Sequence, residues 1–181
     1  MISRLRFWWY LLDKGNLAFF ATLALFLSVL GGITGFAYMD HAQRQAAEER
    51  RANLTCLAEN VYHEARGEPL AGQYAVAEVT MNRVASPLFP DTVCDVVHAK
   101  RFDAIRKRYV GAFSWTELDE LRRPHGNGWL RATAVASAVY DNPDEAPLVD
   151  GALFYHASHI SPTWAKTKTR VARIGRHLFY E

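Results

Sequence analysis

The segment YHEARGEP, residues 62–69, sets two carboxyl groups, Glu64 and Glu68, beside a helix end. Leu57, Ala58, Val61, Tyr62 and Ala65 recur at helical spacing, so residues from about Leu54 to Arg66 are predicted to be helical, and Gly67 stands where a helix stops. Seven residues separate Leu57 from Glu64, which at about 100° per residue returns the carboxylate to within about 20° of the leucine, on the apolar stripe. Glu59 falls on the opposite face. A carboxyl group aimed at apolar neighbours is costly to ionise, and the last carbonyls of the helix add to that cost. Glu64 is therefore expected to hold the raised pKa that a general acid needs near neutrality. The same side chain also fits a structural role, paired with Arg66, Arg83 or another cation. Glu68 precedes Pro69 at the start of a second helix and is expected to cap it rather than to act as an acid.

Other chemistries are thinly supplied. His63-Glu64 opens like the HExxH of a zinc protease, but Gly67 stands where the second histidine is needed. His156 and His159 form an HxxH that, with His98, His125 or His177, offers donors for a zinc site. Cys56 and Cys94 are the only cysteines; in an exported domain they either pair or remain as buried thiols. Ser114, Ser158 and Ser161 lack the context of a nucleophile elbow. A net charge of +2, with no basic block interleaved with aromatics, argues against a nucleic-acid partner.

The elements that must position these groups follow from periodicity. LAGQYAVAEVTMNRVA is apolar nearly all round and ends at Ser86-Pro87, so it is the expected buried central helix. Its polar exceptions are Gln73, Glu78, Asn82 and Arg83. A short helix is expected after Asp91 or Thr92 and another after Gly128, closed by Asn142-Pro143; the charged and aromatic stretch between them reads as loops with a short helix. Toward the C-terminus the period shortens in ALFYHAS, TRVARI and HLFYE, with Gly175-Arg176 as a hairpin turn. Helices first and a small antiparallel sheet last make an α+β domain.

Ahead of that domain, residues 17–38 contain no charge, and roughly 20 apolar residues suffice to cross a bilayer. A helix buried in a soluble domain would normally show a polar face, and a cleaved signal peptide would carry a nearby small-residue cleavage pattern; an uncleaved signal anchor is preferred. Arg4, Arg6 and Lys14 precede the span against Asp13, Trp8, Trp9 and Tyr10 suit the interfacial belt, and Asp40, Glu48 and Glu49 follow it. The expected topology is single-pass in the inner (cytoplasmic) membrane, with residues 1–16 in the cytoplasm, 39–53 as a juxtamembrane linker and 54–181 as an extracytoplasmic catalytic domain.

The run CLAENVYHEARGEPLAGQYAVAEVTMNRV, followed by FPDTVCDVV, FSW and GALFYHASHISPTWAKTKTRVARIGRHLFY, resembles the SleB/CwlJ-type cell wall hydrolase family of spore-cortex-lytic enzymes, in consistent order from about Cys56 to Tyr180. The resemblance implies a small lysozyme-like α+β fold with a groove for peptidoglycan glycan strands and Glu64 as the catalytic acid. It further implies cleavage between N-acetylmuramic acid and N-acetylglucosamine by lytic transglycosylation, for which one carboxyl group suffices. Ser114, Trp115, Tyr155 and Trp164, with Phe113, are then expected on the groove walls, and Asn82 and Arg83 either orient Glu64 or tie their helix to a loop. The family commonly has glutamine before FSW; here the residue is Ala112. The partners implied are the glycan strand and, through residues 17–38, the membrane, with no metal or cofactor. Two other readings stand beside this one: a zinc-dependent N-acetylmuramoyl-L-alanine amidase using His156 and His159, and a non-catalytic wall-binding module.

Overall fold

The computed structural model describes residues 14–104, 106–118, 123–142 and 145–181. Arg4, Arg6, Trp8, Trp9, Tyr10 and Asp13 of the topology argument, and Pro143 of the expected helix end, lie outside the described residues. The chain divides into two units, Met1–Glu48 and Glu49–Glu181. A single helix, α1 (Lys14–Ala65), carries residues of both. The polar residues 39–53, expected as a linker, are helical, with an Arg44–Asp40 ion pair of 2.9 Å one turn apart.

In the first unit every residue from Leu17 to Met39 is exposed, although nearly all are apolar. The three hydroxyls of Thr22, Ser28 and Thr34 donate back to the carbonyls of Phe19, Leu25 and Leu30 at 2.8, 2.8 and 3.0 Å. Such internal pairing is what a polar side chain needs where no water is at hand. The helix is long and apolar enough to cross a membrane.

The second unit begins at Glu49, where the sequence suggested a start near Leu54. Arg50 reaches Asp141 at 2.7 and 2.9 Å, and the buried Asn53 carboxamide accepts the Cys94 N–H at 3.3 Å. Cys56 and Cys94 form a disulfide with Cα atoms 5.2 Å apart, which settles the open question of their state. At the centre stands α2 (Leu70–Ala85), which buries residues 75–80 without a break. Ala77 packs with Leu57 and Val61 of α1, Val93 and Val97 of α3 (Val93–His98), Phe113, Trp115, and Val135 and Val139 of α4 (Gly126–Asp141). Ala75 and Val79, on the other side, pack with Val149, Ala152 and Phe179. A helix buried on both sides needs the all-round apolarity seen in its sequence.

Its polar exceptions are each hydrogen-bonded. The Gln73 side chain donates to the Glu68 carbonyl at 3.0 Å, and Glu78 accepts the N–H groups of Leu148 and Val149 at 2.8 and 2.9 Å. Asn82 donates to the carbonyls of Val149 and Ala152 at 3.0 and 3.1 Å, and Arg83 Nε to that of Leu153 at 2.8 Å. Glu78, Asn82 and Arg83 together fasten the segment that leads into the sheet. Buried polar groups left without such partners cost about 1–3 kcal/mol each.

That sheet has the order β3–β5–β4, from β3 (Phe154–Ala157), β4 (Arg170–Ile174) and β5 (His177–Tyr180), antiparallel throughout, with the turn at Gly175-Arg176 as expected. The reading of the 100–128 stretch as loops with a short helix is corrected in part: β1 (Lys100–Asp103) and β2 (Arg108–Gly111) form a hairpin, and the short helix is a 3₁₀ turn at Ser114–Glu117. The hairpin residues are mostly exposed, so no apolar alternation betrays the strands. The role foreseen for Glu68 is also corrected. Pro69 occupies the N-cap of α2 with no side-chain cap, and Glu68 instead accepts from the backbone N–H and Nε of Arg176 at 2.8 and 2.7 Å, pinning the β4–β5 turn to the start of α2.

Candidate active site

Glu64 is the penultimate residue of α1 and is half-buried. Tyr155 of β3 donates its hydroxyl to Glu64 Oε2 at 3.1 Å. Burial pushes the Glu64 carboxyl above the usual glutamate range, against the opposing pull of the Tyr155 hydrogen bond and the Arg83 charge. The sequence argument anticipated this direction, and the cause is the desolvation it named. Burial and the facing carboxylate raise the Tyr155 phenol well above its ordinary value, so the hydroxyl stays protonated and donates. Arg83 is buried between the rings of Phe89 and Phe113, with Cζ 5.3 and 5.1 Å from their centroids. Three elements thus converge: the end of α1 supplies the acid, β3 its hydroxyl partner, and α2 the cation.

Arg83 also lines an open cleft of about 510 Å³, within the range of ligand sites. Phe89 and Phe154 form apolar wall, the β1–β2 hairpin contributes Lys100 and Arg101, and Ala112 lies on the same surface. No described residue lining it is acidic.

The remaining expected residues are distributed unevenly. Tyr155 is hydrogen-bonded to Glu64 and is not among the residues that line the cleft. Ser114 is exposed at the start of the 3₁₀ turn. Trp115 is nearly buried, with its indole N–H donated to Asn60 Oδ1 at 3.0 Å and its ring stacked on His63 with centroids 4.6 Å apart; it supports the helix end that carries Glu64 from beneath. Trp164 contacts Phe154, His156 and Tyr180 at 5.8, 5.5 and 5.6 Å. Because alternate strand residues face opposite ways, that is the side of β3 away from Tyr155. Of the two roles open to Asn82 and Arg83, the structure shows the loop tie for both, and the charge of Arg83 also acts on Glu64. The sequence reading did not single out Phe89, Lys100, Arg101 and Phe154, which line the cleft.

His156 is buried with both ring nitrogens engaged: Nδ1 lies 3.0 Å from the Ala157 carbonyl, to which it donates, and Nε2 lies 3.0 Å from the Tyr180 hydroxyl. A zinc ligand needs one of those nitrogens free. Among the described residues no three His, Cys, Asp or Glu side chains gather as metal ligands.

Residues 67–180 match the family profile described as Cell Wall Hydrolase, which is more than half of the chain. The chain belongs to the cell wall hydrolase family. The profile begins three residues after Glu64, so the role of that residue is argued from its geometry. Among relatives of this family, the spore cortex-lytic enzyme of Oceanobacillus iheyensis is 34% identical over 132 residues, covering 70% of this chain and 41% of that protein. That of Bacillus subtilis is 34% identical over 130 residues, covering 71% and 37%. The chain therefore spans about two-fifths of the length of these relatives. The crystal structure of the catalytic domain of the Bacillus cereus SleB protein matches with TM-score 0.54 and 29% identity, over 72% of this chain and 91% of that one. The catalytic domain of the germination-specific lytic transglycosylase SleB from Bacillus anthracis matches with TM-score 0.50 and 28% identity, over 71% and 93%. The mixed arrangement of helices and small sheets is thus the fold of these catalytic domains.

Proposed function

We propose that the chain is a membrane-anchored, peptidoglycan-degrading enzyme that cuts the glycan strand between N-acetylmuramic acid and N-acetylglucosamine as a lytic transglycosylase, with Glu64 as its catalytic carboxyl group. The observation that carries this reading is Glu64 itself: a half-buried carboxyl held above its ordinary pKa, acted on by the charge of Arg83, which lines an open cleft with no acidic residue in its described lining. Most glycosidases employ two carboxylates. A transglycosylase dispenses with the second because the nucleophile is the C6 hydroxyl of the muramoyl residue.

Protonated Glu64 donates to the glycosidic oxygen while the bond from that oxygen to the muramoyl C1 breaks, and the N-acetylglucosamine fragment leaves with a free 4-hydroxyl. The Glu64 carboxylate then takes the proton of the muramoyl C6 hydroxyl as its oxygen bonds to C1, which closes the 1,6-anhydro ring and restores the acid. The Tyr155 hydroxyl and the Arg83 charge steady the carboxylate between the two transfers, and neither is strong enough to undo the effect of burial. The lysozyme-like groove and the anchor in residues 17–38 belong to the same proposal, supported by the apolar helix and by the family; the anchor places the cleft on the wall side of the inner membrane.

The test is digestion of purified sacculi by the full chain in detergent, with products identified by mass spectrometry. Anhydromuramoyl ends are expected from the wild type and none from Glu64→Gln. Products with reducing muramoyl ends would refute the transglycosylase step, and free stem peptides or an unimpaired Glu64→Gln would refute glycan cleavage by Glu64.

A further inference from the structure

The cleft lined by Arg83 carries more positive charge than recognition of neutral sugars requires. Lys100 and Arg101 line it from β1, Arg83, whose charge acts on Glu64, lines it as well, and no described lining residue is acidic. Lys100 and Arg101 are exposed, and neither forms an ion pair with a described residue. Arg101 is close enough to Arg83 for its charge to disfavour that of the guanidinium. Like charges gathered on one wall repel one another and attract an anion. Opposite Lys100 in the hairpin register stands Gly111, followed by Ala112 on the same cleft.

On a glycan strand the N-acetylglucosamine residues are neutral, whereas each muramoyl lactyl group can bear a stem peptide with free carboxylates. Resting on the function proposed above, we infer that Lys100 and Arg101 bind the carboxylates of the stem peptide on the muramoyl residue at the cleavage point. The enzyme then prefers peptide-bearing strands to bare glycan. The ligand is an acidic peptide branch, and the two cations are specificity residues outside the proton transfers.

The experiment measures binding by calorimetry with the full-length Glu64→Gln chain in detergent micelles, using a disaccharide that bears a tetrapeptide stem and the same disaccharide with its lactyl carboxyl capped as a neutral amide in place of the peptide. The peptide-bearing ligand is expected to bind about ten-fold more tightly at low salt, with the preference shrinking as ionic strength rises. Adding Lys100→Ala and Arg101→Ala is expected to abolish the preference, while Lys100→Arg with Arg101→Lys keeps it, which separates lost charge from lost folding. Equal affinities in the starting chain, or a preference that survives the alanine pair, would overturn the inference. Binding does not depend on turnover. A preference in a chain that releases nothing from sacculi would leave this inference standing and sink the catalytic reading, and sacculus cleavage without preference would do the reverse.

Discussion

At the scale of single residues, the carboxyl group of Glu64 is governed by opposed influences: burial raises its pKa, while the Tyr155 hydroxyl and Arg83 lower it. A general acid works in its protonated form, so activity should fall as pH rises through the Glu64 pKa. Removing the Tyr155 hydroxyl takes away a stabiliser of the carboxylate and leaves burial less opposed. Tyr155→Phe is therefore expected to shift the alkaline limb of the pH–rate profile to higher pH and to lower the maximal rate by about a hundred-fold, the lower end of the scale for a lost charge-stabilising donor. A profile that falls in height without moving along the pH axis would reduce Tyr155 to a packing residue. The helical stripe sufficed to turn Glu64 toward apolar neighbours. Its partner lies 91 positions away in sequence, and no local pattern names it.

At the scale of elements, the carboxyl of Glu68 joins the beginning of α2 to the β4–β5 turn. Its burial would raise its pKa, but the backbone N–H and guanidinium of Arg176, with His177 nearby, more than compensate and hold it below the usual glutamate range. The turn residue Gly175 has φ of +56°, and a Cβ there would collide with Glu68 Oε2, so glycine is required on both counts. Glu68→Gln is expected to cost about 2 kcal/mol at neutral pH, because hydrogen bonds to a charged group contribute about that much. A depressed folded-state pKa contributes stability above the unfolded value and loses it as pH falls through the folded one. The difference between wild type and Glu68→Gln should therefore close on acidification. Denaturant melts across that range check it, and a gap independent of pH would contradict the ionic tie. The hairpin turn was visible as Gly175-Arg176; its attachment to Glu68 was not, since Glu68 before Pro69 has the same local appearance whether it caps a helix or reaches across the fold.

At the scale of the whole molecule, the two units are treated differently by solvent. The second unit hides its apolar side chains in two clusters that share α2. The residues 17–38 leave theirs fully exposed, and so long an uncovered apolar surface is unfavourable in water. The full chain is expected to stay with membranes through alkaline carbonate washing and to leave them only in detergent. In spheroplasts, external protease should reach the second unit. Release by carbonate would exclude a span, and protection in intact spheroplasts would reverse the orientation.

The sequence by itself determined what depends on neighbours along the chain. The apolar span, the all-round apolarity of α2, the stripe that directs Glu64 and the Gly175-Arg176 turn are properties of residues a few positions apart, where helical or strand periodicity converts order into direction. Tertiary structure decided what depends on encounters between distant segments. The Cys56–Cys94 bond, the Tyr155–Glu64 contact, the attachment of Glu68 to Arg176, the burial of Trp115 and the cationic wall of Lys100 and Arg101 all require two elements to meet. An exposed hairpin such as β1–β2 adds a further reason: with no buried face it imposes no alternation, and its presence is settled only by the pairing of its own backbones.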